Sequence, residues 1–317
     1  MGAIYKSDEG ERLVKERYQA VLNQWPVPND KRRVETREGE TFVIACGPKN
    51  APPVVLLHGS AFNSATWMGD VAAWSEHFRL YAVDVIGHPG FSAPSRPPYG
   101  TDAHALWLDD VLNGLGIERA AFVGLSLGGW LAIDFASRRP ERVTSLVLLA
   151  PGGVSHELTS MAKIVFVILP LMMLGAWGRA KAKHMILGPM PATDSLGAKA
   201  LNDFVSLINR HFRQRLDKVA RFSDATLKRV TMPVFLIVGE KDPMLDPLET
   251  IQRVENAAPQ TEVLSLPNIG HAVFGQTRPV LDFLLRAEPP STRSPHPIPL
   301  PSEGGEGNEG LPRRRGA

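Results

Sequence analysis

The chain has 317 residues, 44% of them hydrophobic, enough for one large α/β domain with an inserted subdomain and a core that needs no covalent staples. A net charge of +2 excludes a function built on a basic field, such as nucleic-acid binding. A lone cysteine, Cys46, excludes an internal disulfide and agrees with a reducing compartment; with no thiol-enzyme context it reads as a small buried hydrophobe at a strand end.

The N-terminus, M-G-A-I-Y-K-S-D-E-G-E-R, lacks the apolar core of a signal peptide, so the expected location is cytoplasmic. Residues 9–25 place Val14, Tyr18, Val21, Leu22 and Trp25 at helical spacing and predict an amphipathic helix ending at Pro26. Short strands are expected at 33–36 and 41–45, joined through Glu38-Gly39-Glu40 as a hairpin at a sheet edge. From residue 53 the pattern changes to continuous apolar runs, at 53–57, 80–85, 120–125 and 145–149, each followed by helical or loop sequence. Such runs are strands buried on both faces, and their alternation with helices predicts a doubly wound parallel sheet.

After Pro151 the alternation stops, and residues 152–222 read as helices and loops. The apolar run 164–177 within them is shorter than the ~20 residues a membrane span needs, is interrupted by Pro170 and is flanked by Lys163 and Arg179. It reads as a helical lid whose apolar face covers the sheet, with peripheral membrane contact as the alternative and no stable insertion. Strands resume at 234–238 and 262–266, with helices at 247–257 and 272–286. From Pro289 onward the sequence is largely Pro, Gly, Ser and Glu, closing on Arg313-Arg314-Arg315; it has almost nothing to bury and is expected to be a disordered tail. The expected organisation is an N-terminal amphipathic helix (1–30), an α/β core (31–151 and 223–288), a helical cap (152–222) and the tail (289–317).

Chemistry is expected at Gly124-Leu125-Ser126-Leu127-Gly128, a G-x-S-x-G motif between an extended run and a helix start. A serine there sits on a tight turn, lifted beside the free N–H groups of the next helix, while small neighbours let strand and helix pass closely. Ser126 is thus the expected nucleophile. A hydroxyl is a weak nucleophile at neutral pH, so it needs a base and the base needs an orienting acceptor. In parallel sheets such groups follow strands. Two do: Asp242 in V-F-L-I-V-G-E-K-D and His271 in V-L-S-L-P-N-I-G-H, which makes His271 the expected base and Asp242 its acid. Asp246, Glu240 and Asp84 are alternatives for the acid. His77, His104, His184 and His211 fall on predicted helices, His88 in the turn after Asp84, His156 at the cap entrance and His296 in the tail.

Backbone N–H groups that hold the oxyanion are expected from Leu127, next to the serine, and from Ser60 in the loop of V-V-L-L-H-G-S-A, with Ala61 as the alternative and His58 as a structural residue beneath that loop. H-G-S-A-F-N at His58, D-V-I-G-H-P-G-F-S at Asp84, G-L-S-L-G-G-W at Gly124, V-G-E-K-D-P at Val238 and N-I-G-H at Asn268 together resemble the α/β-hydrolase superfamily over residues 34–286. Within it the chain is most similar to lid-bearing carboxylesterase-like enzymes, with carbon–carbon bond hydrolases of aromatic-ring degradation as near relatives. The resemblance implies an α/β-hydrolase fold: a mostly parallel eight-stranded sheet, helices on both faces, a helical cap inserted after the sixth strand, no metal and no organic cofactor. It also implies a serine hydrolase that cleaves carboxylic esters of small to medium hydrophobic substrates, with the ester and water as its partners. Ile164, Ile168, Met172 and Trp177 of the cap are expected to line the pocket. A carbon–carbon hydrolase or a cofactor-free perhydrolase would use the same triad; a non-catalytic ligand receptor is the alternative from another class, against which the intact Ser, Asp and His argue.

Overall fold

The computed structural model describes residues 4–158, 167–189, 196–215 and 217–288. Helix α1 (Asp8–Leu22) opens the chain, with Ser7 accepting the Gly10 N–H at 3.1 Å and Asp8, Glu9 and Glu11 complementing the positive end of the helix. It ends before Trp25, because the amides of Gln24 and Trp25 bond back to Val21 and Leu22 in tight turns that tuck the indole into the core.

Eight strands, β1 (Asn29–Val34), β2 (Thr41–Cys46), β3 (Pro53–Leu57), β4 (Arg79–Val83), β5 (Ala120–Leu125), β6 (Val143–Leu149), β7 (Val234–Gly239) and β8 (Glu262–Leu266), form one sheet in the order β1-β2-β4-β3-β5-β6-β7-β8. β1 pairs antiparallel with β2 and β2 with β4; every other pairing is parallel. The expected edge hairpin is present, but β1 begins at Asn29 rather than near residue 33. N-D-K-R-R-V has no hydrophobic alternation, and its extended form comes from pairing along the whole of β2. Cys46 ends β2 and is buried.

Helices α2 (Val71–Trp74), α3 (Ala103–Leu115) and α4 (Leu127–Arg138) connect the first strands. Between β6 and β7 the described residues contain helices α5 (Leu169–Met172), α6 (Gly175–Leu187), α7 (Leu196–His211) and α8 (Asp224–Leu227), and no strand of the sheet. The Phe222 N–H donates to the Gly153 carbonyl at 2.8 Å, so this helical insertion leaves and re-enters the core at nearly one point. Helices α9 (Pro247–Ala257) and α10 (Thr277–Ala287) complete the fold. α10 starts later than residue 272 because Gly275, at φ +79°, first reverses the chain. The expected tail from Pro289 lies outside the described residues.

Side chains alternate across the sheet as the pleat requires. Phe122 of β5 packs with Trp107, Val111, Phe135 and Val254 on the face covered by α3, α4 and α9. Val123 and Leu125 lie in the opposite core with Tyr18, Trp74, Phe204 and Leu284. That second core is completed across the insertion: the Tyr18 ring stacks on Phe91 at 4.9 Å and on Phe204 of α7 at 6.0 Å, and Gly10 lies directly against the His211 side chain. No helix among the described residues is long and apolar enough to cross a membrane.

Candidate active site

Ser126 joins β5 to α4 at φ +52°, ψ −109°, a conformation that costs a non-glycine residue free energy and is held by its surroundings. Its N–H donates to the Leu149 carbonyl at 2.8 Å, and its own carbonyl accepts from Gly152 at 3.0 Å and Trp130 at 3.1 Å. The flanking glycines are sterically required. A Cβ on Gly124 would collide with the Gly128 carbonyl, and one on Gly128 with the Leu57 carbonyl. Thus β5, α4, β3 and the end of β6 converge on one hydroxyl.

His271 and Asp242 meet it there. His271 Nε2 lies 2.9 Å from Ser126 Oγ, and His271 Nδ1 lies 2.7 Å from Asp242 Oδ2. An ionised carboxylate only accepts, so Nδ1 carries the proton and Nε2 is left to accept from the serine hydroxyl. Asp242 Oδ1 accepts from the N–H groups of Met244 at 2.8 Å and Leu245 at 3.2 Å, which fixes the carboxylate plane, and both Asp242 and His271 are buried. The alternative acids have other duties. Asp246 caps α9 by accepting from Glu249, Glu240 accepts from Ser265, and Asp84 is buried elsewhere.

The loop after β3 runs alongside: the Cβ position of Gly59 lies 3.7 Å from Ser126 Cβ. Ala61 is committed, its N–H donating to His88 Nδ1 at 3.0 Å, which leaves Ser60 as the member of this loop whose amide the expected role requires. Leu127 opens α4, where the first amides have no partner within the helix. His58 is fully buried beneath the loop; its Nε2 accepts from Val85 N–H at 2.9 Å, so Nδ1 holds the proton and donates to the Gly59 carbonyl at 2.8 Å. Burial holds both His58 and His88 below the ordinary histidine range, His88 by more, so both are neutral acceptors at these bonds.

Two supports were not drawn from the sequence. Asp84, fully buried, accepts from Tyr18 Oη at 2.8 Å and from the N–H and hydroxyl of Ser64 at 2.9 and 2.7 Å, so α1 reaches the loop through this carboxylate. From the insertion, the carbonyl of Leu187 accepts from His271 N–H and that of Pro189 from Gly270 N–H, each at 2.8 Å. Glycine spacing in D-V-I-G-H-P-G was the available signal for the first, since a Cβ on Gly90 would collide with Asp84; the second joins segments with no local signal at all.

The expected pocket wall divides. Ile168 is buried, Ile164 and the Met172 side chain lie outside the described residues, and Trp177 is 68% exposed, so it lines no closed pocket. The run around Pro170 breaks after Met172, where the chain turns through Gly175 at φ +68° from α5 into α6, and the far part of its apolar face is left facing solvent. A narrow, water-sized cavity lies under Leu125 and Val273, lined also by Trp67, Asp70, Leu149 and Phe274, with the Asp70 carboxyl raised by burial.

A strand-serine-helix turn, a histidine and a carboxylate on the carboxyl edge of a mostly parallel sheet define a class of hydrolase, and the alpha/beta hydrolase family model matches residues 54–283. The chain belongs to that family. Within it the chain is a carboxylesterase-like enzyme. It is 34% identical to carboxylesterase YbfK of Bacillus subtilis, over 80% of this chain and 86% of that protein. It is 32% identical to a second Bacillus subtilis protein, the uncharacterized carboxylesterase nap, over 84% and 88%. The crystal structure of carboxylesterase CesB (YbfK) superimposes with a TM-score of 0.73 at 31% identity, covering 87% of this chain and 98% of that one.

Proposed function

We propose that the protein is a serine carboxylesterase that cleaves esters of small to medium hydrophobic substrates through an acyl-enzyme on Ser126. The observation that carries the reading is the continuous relay from Asp242 Oδ2 through His271 to Ser126 Oγ, with separations of 2.7 and 2.9 Å. His271 Nε2 removes the hydroxyl proton as Oγ attacks the ester carbonyl, and Asp242 steadies the imidazolium that forms. The tetrahedral oxyanion is held by the Leu127 and Ser60 amides. Collapse expels the alcohol, which takes the proton from His271; water activated by the same nitrogen then attacks the acyl-enzyme and releases the acid. The helical insertion serves as the cap, and the apolar side chains of Leu125 and Val273, near the serine and histidine in the chain, favour an uncharged substrate.

Carboxylesterase relatives support this chemistry over carbon–carbon bond hydrolysis. Ser126→Ala is expected to lower turnover of p-nitrophenyl esters by roughly 10⁴-fold or more and to abolish labelling by a fluorophosphonate. Hydrolysis retained at the parent rate would remove Ser126 from the mechanism.

A further inference from the structure

At the corner between α5 and α6 the chain holds out apolar side chains that a protein surface ordinarily covers. Met173 is 87% exposed, Leu174 61% and Trp177 68%, and Val167 just upstream is exposed as well. The corner is built to present them. The amides of Met173 and Leu174 bond to the carbonyls of Pro170 and Leu171 at 3.1 Å, and Gly178 brings α6 so close to α5 that a Cβ there would collide with the Leu171 carbonyl. Leu158, Leu248 and Phe274, the other exposed large apolar residues among those described, are scattered singly along the chain.

Charge tells what such a corner meets. From Val167 to Pro189, the described stretch around the corner, the sequence contains no Asp or Glu, and it carries Arg179, Lys181 and Lys183. Lys181 is exposed and follows Trp177 by one helical turn, so the two share a side of α6. We propose that this corner docks the protein on an anionic lipid surface. Trp177, Met173 and Leu174 enter the headgroup boundary, where an indole is at home, while Lys181 meets the lipid phosphates. A second copy of the chain is a poorer occupant, because the dyad would set the same stretch, with basic residues and no acid of its own, against itself.

Docking there has a consequence for the site. The opposite end of α6 is Leu187, whose carbonyl holds the His271 amide at 2.8 Å. At ~1.5 Å per residue the helix spans about 20 Å, so the corner and the His271 loop are the two ends of one rod. Delivery of esters from the bilayer to Ser126 rests on the esterase reading; the docking itself does not.

The test uses the full chain carrying Ser126→Ala, so that loss of hydrolysis and loss of docking are separate results. Cosedimentation is measured with vesicles of phosphatidylcholine alone and of phosphatidylcholine with about 30% phosphatidylglycerol. The anionic vesicles are expected to bind the protein, and binding is expected to fall steeply toward about 1 M salt, where the screening length is ~3 Å. Met173→Asp with Trp177→Asp is expected to weaken binding about tenfold or more with an unchanged circular dichroism spectrum. Lys181→Glu, which leaves the apolar corner intact, is expected to weaken it as well. Equal binding by parent and variants, no binding to anionic vesicles, or a concentration-dependent dimer that the corner variant dissolves would each overturn the proposal.

Discussion

The amide of Ala61 donates to Nδ1 of His88, and that bond sets the direction of the loop from which the Ser60 amide is proposed to act. An acceptor at this position is what matters, so His88→Asn is expected to keep most of the activity and His88→Phe to lose up to about 10²-fold in kcat with KM little changed, the scale of one misdirected oxyanion donor. Steady-state kinetics on a p-nitrophenyl ester separates the two; equal loss in both variants would mean that the ring, and not its acceptor, is needed. His104 makes a different prediction. It is buried, stacks on Tyr99 at 5.2 Å, has no partner at Nδ1, and burial pushes it down to about 4. Its folded pKa lies below the unfolded one, so the unfolded chain binds a proton that the native state refuses, and stability is lost as pH falls below about 6.5, flattening near pH 4. His104→Phe is expected to show a shallower fall in urea midpoint between about pH 7 and pH 5 than the parent protein. A parallel fall would remove His104 from that linkage.

At the scale of elements, the contact that matters is between the end of α6 and the loop after β8. Gly188, at φ +69°, and Gly270 meet backbone to backbone, and a Cβ on Gly270 would collide with the Leu187 carbonyl that holds His271 N–H. Gly270→Ala is therefore expected to displace the imidazole and lower kcat about 10²-fold, as sub-ångström to ångström misplacement of a reacting group does, while the circular dichroism spectrum and the melting curve below the transition stay those of the parent. Fluorophosphonate labelling slowed in proportion would trace the defect to Ser126 activation. Unchanged labelling with lower turnover would place it in a later step.

For the whole molecule, α1 is the tie between the core and the insertion. Val14, Tyr18 and Leu22 are buried, Tyr18 bonds Asp84 beneath the loop after β3, and Gly10 and Tyr5 meet His211 and Phe212 at the end of α7. Full burial of three such side chains contributes roughly 5 kcal/mol or more, a large share of the ~5–15 kcal/mol by which a native state exceeds its unfolded chain. Deleting residues 1–24 is expected to expose the second core, raise dye binding to apolar surface and lower the thermal midpoint by more than about 10 °C, all measurable by dye fluorescence and calorimetry. A truncated chain with the parent's midpoint would show that α1 is dispensable.

The strands at 53–57, 120–125 and 262–266 and the helix at 247–257 were legible to the residue, because each is a local pattern: an apolar run at the first two, a short strand-forming stretch between turns at the third, and a capped helix opened by Pro247. The serine turn was legible for the same reason, since G-x-S-x-G between strand and helix is a steric requirement written in consecutive residues. The meeting of Ser126 with His271 and Asp242 was inferred from their common place after strands, a rule of parallel sheets. What lies between distant segments could not be read this way. β1 is extended only because β2 pairs with it, His104 is buried only because Tyr99 and Trp130 close over it, and the support of His271 by Leu187 joins two backbones whose side chains carry no mark of it. The sequence by itself determined the elements and the chemical groups, through local sterics and periodicity. Tertiary structure alone decided which part of the apolar run around Pro170 is covered and which, at Met173, Leu174 and Trp177, faces solvent, because burial is a property of neighbours.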